Sequence, residues 1–200
     1  MDLSGLLFLS RVIDAANFRI GKILSWAVVG AVLVSATNAT VRKIFDTSSN
    51  SWLELQWVLF SIVFLLCASW TLLANEHIRI DIVNITLPRR VRNSIDVMGH
   101  AFFLLPLCVI MIITSFPFFV RSFIIGEQSM NAGGLPQWPA KSLILICFTM
   151  LFLQGLSELI KRIAVMQGLI PDPYQTSGGI HAAAEAEAER LLAELKEPQP

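Results

Sequence analysis

Glu76-His77-Ile78-Arg79-Ile80-Asp81-Ile82-Val83, followed by Pro88-Arg89-Arg90-Val91-Arg92 and Asp96, stands between two long apolar runs. One run ends at Ala74 and the other begins near Ile95. A stretch of about 20 apolar residues matches the roughly 30 Å hydrocarbon core of a bilayer, so both runs read as membrane spans. The charged block between them therefore lies at a membrane surface. It carries Arg79, Arg89, Arg90 and Arg92, and because Lys and Arg near span ends stay cytoplasmic, the block is assigned to the inner face.

Composition points the same way. Hydrophobic residues make up 54% of the chain and charged residues 15%, against roughly 25% charged in an ordinary soluble domain. A formal charge of zero excludes the broad basic field of a nucleic-acid binder. Cys67, Cys108 and Cys147 all fall inside apolar runs without Cys-x-x-Cys spacing, which favours buried packing thiols over a disulfide or metal site.

Working outward, the spacing predicts four transmembrane helices at about 23–41, 52–74, 95–120 and 142–160, each near the bilayer-crossing length. Residues 1–18 lack the positive start and the apolar core of a signal peptide. Leu3, Leu6, Leu7, Val12 and Ile13 could share one face of a helix lying in the headgroup plane; a frayed terminus is the alternative. Ser35, Thr37 and Asn38 predict that the first span packs against protein on that side. Glu54, near the outer end of the second span, is expected to be a solvated end charge, since a carboxylate at mid-depth is costly. Pro106 predicts a kink in the third span.

Counting cations near span ends sets the orientation. Arg11, Arg19, Lys22, Arg79, Arg89, Arg90, Arg92, Lys161 and Arg162 fall on the side of the central block, and Arg42, Lys43, Arg121 and Lys141 on the other. The bias places both termini in the cytoplasm. Trp26 and Trp70 then lie near inner ends and Trp52, Trp57 and Trp138 near outer ends, as aromatic belts require. Beyond the four-helix domain, 19–165, the tail 166–200 opens with Pro171-Asp172-Pro173 and predicts a solvated cytoplasmic helix over 181–196. The fold expected is all-α: four membrane helices, an interfacial central loop and a cytoplasmic C-terminal helix.

Candidate chemistry is sparse. His77, His100 and His181 do not supply paired haem ligands or a zinc set, and no nucleophile has a positioned base, so neither a cofactor nor an enzymatic activity is expected. Arg89, Arg92, Asp96 and His100 are spaced for one helix face. Arg92 and Asp96 are expected to pair with His100 beside them, chiefly as an anchor of helix depth, with a proton or ion relay as the lesser alternative. His77, Arg79 and Asp81 alternate with Ile78, Ile80 and Ile82, which suits a segment packed on the membrane surface whose ion pairs organise the loop.

Two motifs together carry a family resemblance. The inner block, with Glu76, His77, Arg79, Asp81, Arg89, Arg92 and Asp96, lies between the second and third spans. The outer loop runs Gly126-Glu127-Gln128-Ser129, Asn131-Ala132-Gly133-Gly134-Leu135-Pro136 and Trp138-Pro139-Ala140-Lys141, and is followed by Gln154-Gly155-Leu156-Ser157-Glu158. Over roughly Arg19 to Ile163 the chain resembles the small, DctQ-type membrane subunit of tripartite ATP-independent periplasmic (TRAP) transporters. That resemblance implies a multi-pass protein of the bacterial inner membrane with two partners, a large membrane subunit and a periplasmic solute-binding protein. It implies uptake of an organic acid, carried by the large subunit with sodium ions while the small one scaffolds it. Glu127, Ser129, Trp138, Pro139 and Lys141 are its interface candidates outside, and the inner-block residues those inside. The alternative is a stand-alone four-helix membrane protein, a small exporter or a redox-complex subunit. Against it stand the want of a mid-depth carboxylate and of paired histidines; against solute binding by this chain stands the want of broken helices, an inverted repeat and midplane charges.

Overall fold

In a computed structural model the chain is all-helical, and the structure describes residues 3–46, 49–74 and 89–170. Helices α1 (Leu3–Leu24) and α2 (Trp26–Phe45) are followed by α3 (Asn50–Ser61), a π-helical turn at Ile62–Leu66, and α4 (Ala68–Ala74). Then come α5 (Arg89–Met98), a second π turn at Gly99–Leu104, α6 (Leu105–Ile124) and α7 (Trp138–Met166). Among the described residues, four helical stretches are long and apolar enough to cross a membrane: Gly5–Phe45, Asn50–Ala74, Asn93–Ile124 and Trp138–Met166. Met1–Ile163 forms one compact unit and Ala164–Pro200 a second. The expected tail helix over 181–196 lies outside the described residues.

The first stretch is longer than a span needs. Its 41 residues, at 1.5 Å each, reach roughly 60 Å, about twice the hydrocarbon thickness. Only α2 is free of charge until Arg42, so α2 is the crossing part, while α1 carries Arg11, Asp14, Arg19 and Lys22. The two join at Ser25, whose N–H still reaches the Gly21 carbonyl at 2.9 Å and whose hydroxyl donates to the Lys22 carbonyl at 2.8 Å. The joint is thus a turn within an almost continuous ladder. α1 is helical from Leu3, and Ser10, Asp14 and Asn17 on its polar side are packed on protein.

Gly21 shows how tightly α1 seats. A Cβ there would stand 2.7 Å from the Trp70 ring, and Phe18 meets the same ring edge-on at 6.3 Å. Trp70, read as an interface belt residue, is therefore also the wall against which α1 rests. The apolar core is small: Leu66, Leu143 and Cys147 are buried, with Leu24, Val58, Ile62, Leu65 and Met150 packed on them. Most large apolar side chains face outward, Phe64 (71% exposed) and Phe103 (76%) among them. Lipid makes that arrangement stable where water would not. Ser35 lines a groove between α2 and α3 with Gln56, Trp57 and Phe60, whereas Thr37 is exposed.

The irregular turns have local causes. Pro106 occupies the first turn of α6, where a missing N–H is tolerated, and the disturbance is taken up just ahead of it in the Gly99–Leu104 π turn. After the first π turn, the Ser69 hydroxyl donates to the Leu66 carbonyl at 3.3 Å and that of Thr71 to the Cys67 carbonyl at 2.9 Å. Hydroxyls so placed satisfy backbone groups that lipid cannot.

Candidate functional site

Polar side chains gather at the two ends of the bundle. At one end the segment between α6 and α7 folds over the start of α3. Gly126 and Gly133 turn the chain with φ of +60° and +71°, a region open to glycine at little cost. The Ser129 N–H donates to the Leu135 carbonyl at 3.1 Å and the Gln137 N–H to the Glu127 carbonyl at 2.9 Å, closing the loop on itself.

Glu54 holds that loop down. One carboxylate oxygen accepts from the Ser129 hydroxyl and from the Asn131 amide at 2.8 Å; the other accepts from the Leu135 N–H at 2.6 Å. Asn50 donates to the Ala132 carbonyl at 3.0 Å, and Ser51 donates to that of Gly133. Gly134 passes so close that an added Cβ would lie 2.7 Å from the carboxylate. The expectation of a solvated end charge is therefore corrected: Glu54 is buried. A buried carboxylate is tolerated when hydrogen bonds replace its water, and the loop supplies three.

The other outer candidates form a second patch. Lys141 pairs with Glu127 and sits 4.1 Å over the Phe118 ring. Trp138 meets Phe123 edge-on at 5.4 Å, and the Pro139 carbonyl accepts from Ser142 at 2.6 Å. The Lys141 ammonium holds the Glu127 carboxyl below its ordinary range. Met130 projects fully exposed from the loop. All five outer candidates thus belong to one structured cap, with Ser129 as its link to Glu54.

At the opposite end α1 and α7 are clasped by a buried polar network. Asn17 donates to Gln154 Oε1 at 2.6 Å, and Gln154 Nε2 donates to Asp14 at 2.9 Å and Glu158 at 3.1 Å. Ser157 bonds Ser10 at 2.6 Å and donates to Asp14 at 2.8 Å; Lys161 reaches Asp14 at 3.0 Å and also pairs with Glu158. Gln154 and Ser157 are fully buried. Ser10, Asp14, Asn17 and Gly21 follow spacings of four, three and four, and Gln154, Ser157, Glu158 and Lys161 likewise share a face. These two polar stripes, one on each helix, were the available signal, and composition alone passes over it.

The inner motif is only partly described. Glu76, His77, Arg79 and Asp81 lie outside the described residues, as do the side chains of Arg89 and Arg92, whose backbone is in α5. The expected Arg92–Asp96 pair therefore lies outside them too. Asp96 also reaches across to Arg162 of α7 at 3.5 Å, and His100 Nδ1 lies 2.7 Å from the Asp96 backbone carbonyl within its own helix. No group of three or more His, Cys, Asp or Glu that could hold a metal occurs among the described residues. Chemically these networks fasten helix to helix and loop to helix.

The family model described as tripartite ATP-independent periplasmic transporters, DctQ component, matches residues 31–165. No curated protein and no solved structure matches. The matched region takes in α2 to α7 nearly whole, whereas α1 lies before it and is joined to it by the Asp14–Gln154 network.

Proposed function

Because the chain belongs to the DctQ family of TRAP transporter components, we propose that it braces a separate large membrane subunit and offers the periplasmic binding protein a docking cap. The solute would be an organic acid or related compound that the large subunit takes up coupled to an ion gradient. The family is a transporter component, not an enzyme family, and it leaves the stand-alone exporter or redox subunit without support. We place the inner motif and both termini in the cytoplasm and the outer loop on the opposite side from the distribution of cations, and the whole in a bacterial inner membrane, with that opposite side the periplasm, from the family.

The observation that carries the proposal is the anchoring of the 129–135 loop by Glu54. A loop fixed at several points presents a preorganised surface, which lowers the ordering cost of receiving a partner. The fully exposed Met130 and the Glu127–Lys141 pair lie on that surface. Polar residues at the other end are occupied in holding α1 to α7, which suits a brace.

Charge exchange tests the cap. Glu127→Lys alone is expected to weaken docking of the binding protein about tenfold, since like charge set against a partner costs both encounter rate and affinity. The Glu127→Lys/Lys141→Glu exchange restores the internal pair but leaves the outward charge reversed, so loop protection should recover while docking stays weak. Docking measured by surface plasmon resonance on the assembled membrane complex would contradict the proposal if the single reversal left it unchanged. The pair also sets a pH sign. A carboxyl held below its ordinary value of 4.5 contributes fully above that value and loses its contribution as pH falls through the lower folded value. Docking should stay level from neutral pH down to that range and weaken in stronger acid.

A further inference from the structure

Helix α1 divides its charges by face. Its one described carboxylate, Asp14, is turned inward and held by Lys161 at 3.0 Å, while Arg11, Arg19 and Lys22 are exposed. The outward side therefore carries cations alone. Arg19 and Lys22 stand three residues apart, which sets them side by side on a helix. Among the described residues neither forms an ion pair. Between them runs an open groove of about 550 Å³ lined by Ala15, Phe18, Arg19, Lys22 and Ile23. Phe18 and Ile23 are 51% and 71% exposed, so the groove has apolar walls next to its cations. Trp26 follows one turn on, where the crossing helix begins.

We propose that this groove seats an anionic phospholipid, its phosphodiester held by Arg19 and Lys22 and its first acyl carbons laid on Phe18 and Ile23. The match is one of charge and of amphipathic shape. A soluble anion would use the cations and leave the apolar walls idle. An acidic protein surface would not need a groove of this form. Basic pockets at span ends are the usual receptors of acidic headgroups, and a cation on a long stem reaches the headgroup layer at little cost. The consequence is that α1, clasped to α7 on its polar side, is fastened to the bilayer on its other side. This holds whichever leaflet the end of α1 meets, and so does not depend on the docking proposal.

Native mass spectrometry of the full chain, released from nanodiscs of phosphatidylcholine with graded phosphatidylglycerol, provides the test. The wild-type chain should retain phosphatidylglycerol in preference to phosphatidylcholine. Arg19→Gln/Lys22→Gln should lower that preference about 25-fold, at about a factor of five for each cation near an anionic surface. Arg42→Gln/Lys43→Gln removes the same charge at the far end of α2 and should leave it unchanged. Any of four results would overturn the proposal: a preference that survives Arg19→Gln/Lys22→Gln; an equal loss in the Arg42→Gln/Lys43→Gln control, which would signify a diffuse surface field; displacement of the lipid by free glycerol 3-phosphate, which would mark a soluble-anion site; or loss of a co-purified large subunit with lipid retention intact, which would assign the cations to a protein partner.

Discussion

Glu54→Ala is expected to release the outer loop while leaving the helices in place. The substitution removes an acceptor from the Ser129 hydroxyl, the Asn131 amide and the Leu135 N–H together. Hydrogen bonds to a charged group are stronger than neutral ones, and a loop that loses several opens far more often. Amide exchange at Leu135 and Ser129 should then quicken about a hundredfold, while amides within α6 and α7 change little. Uptake by the assembled transporter should fall about tenfold, because the docking cap would have to be ordered at each encounter. Glu54→Gln keeps the size and one acceptor oxygen but turns an N–H toward another donor, so it should fall between the two. Exchange at Leu135 within about twofold of wild type in Glu54→Ala would mean that the loop holds itself without this carboxylate.

The second large effect is expected at the other end. Gln154→Leu keeps the side-chain volume in a fully buried position but leaves Asn17 without its acceptor and takes a donor from Asp14 and from Glu158. Each buried group left unsatisfied costs about 1–3 kcal/mol, and Asp14 keeps Ser157 and Lys161, so a loss on the order of 3 kcal/mol is expected. The loss should appear as detachment of α1. Spin labels at the exposed positions Val12 and Ile163 should give one narrow distance in the wild-type chain and a broad distribution in the variant. Asn17→Leu removes the same bond from the other side, so combining the two substitutions should cost less than the sum of the single effects. Strict additivity would show that the two side chains do not act through one another.

These two clusters also mark what could be read in one dimension. Hydropathy is a property of windows, so the four spans stand out in the sequence. Their ends do not, because a helix continues past the lipid boundary wherever its residues allow. The fourth runs Trp138–Met166 against an expected 142–160, and the first extends back to the N-terminal region through Ser25. Gln154 and Asn17 are 137 residues apart in the chain, and Ser10 and Ser157 are 147 apart. Nothing local announces such partners. Asp14 likewise carries no local sign that its partners Gln154, Ser157 and Lys161 lie on α7. Glu54 looked like a charge at a wet end because its three donors come from residues 129–135. The outer motif was legible through its family resemblance. Asp96 has a described partner in Arg162, on a different helix, where an i, i+4 rule could not point.

The central claim is that this chain braces a transporting neighbour and does not itself carry solute. Reconstitution tests it most directly: the purified chain alone, the chain with the large subunit, and both with the binding protein, each in sealed vesicles under an imposed ion gradient with a labelled organic acid outside. Accumulation is expected only when all three proteins are present, with the chain alone no different from empty vesicles. Gradient-dependent accumulation by the chain on its own would contradict the account.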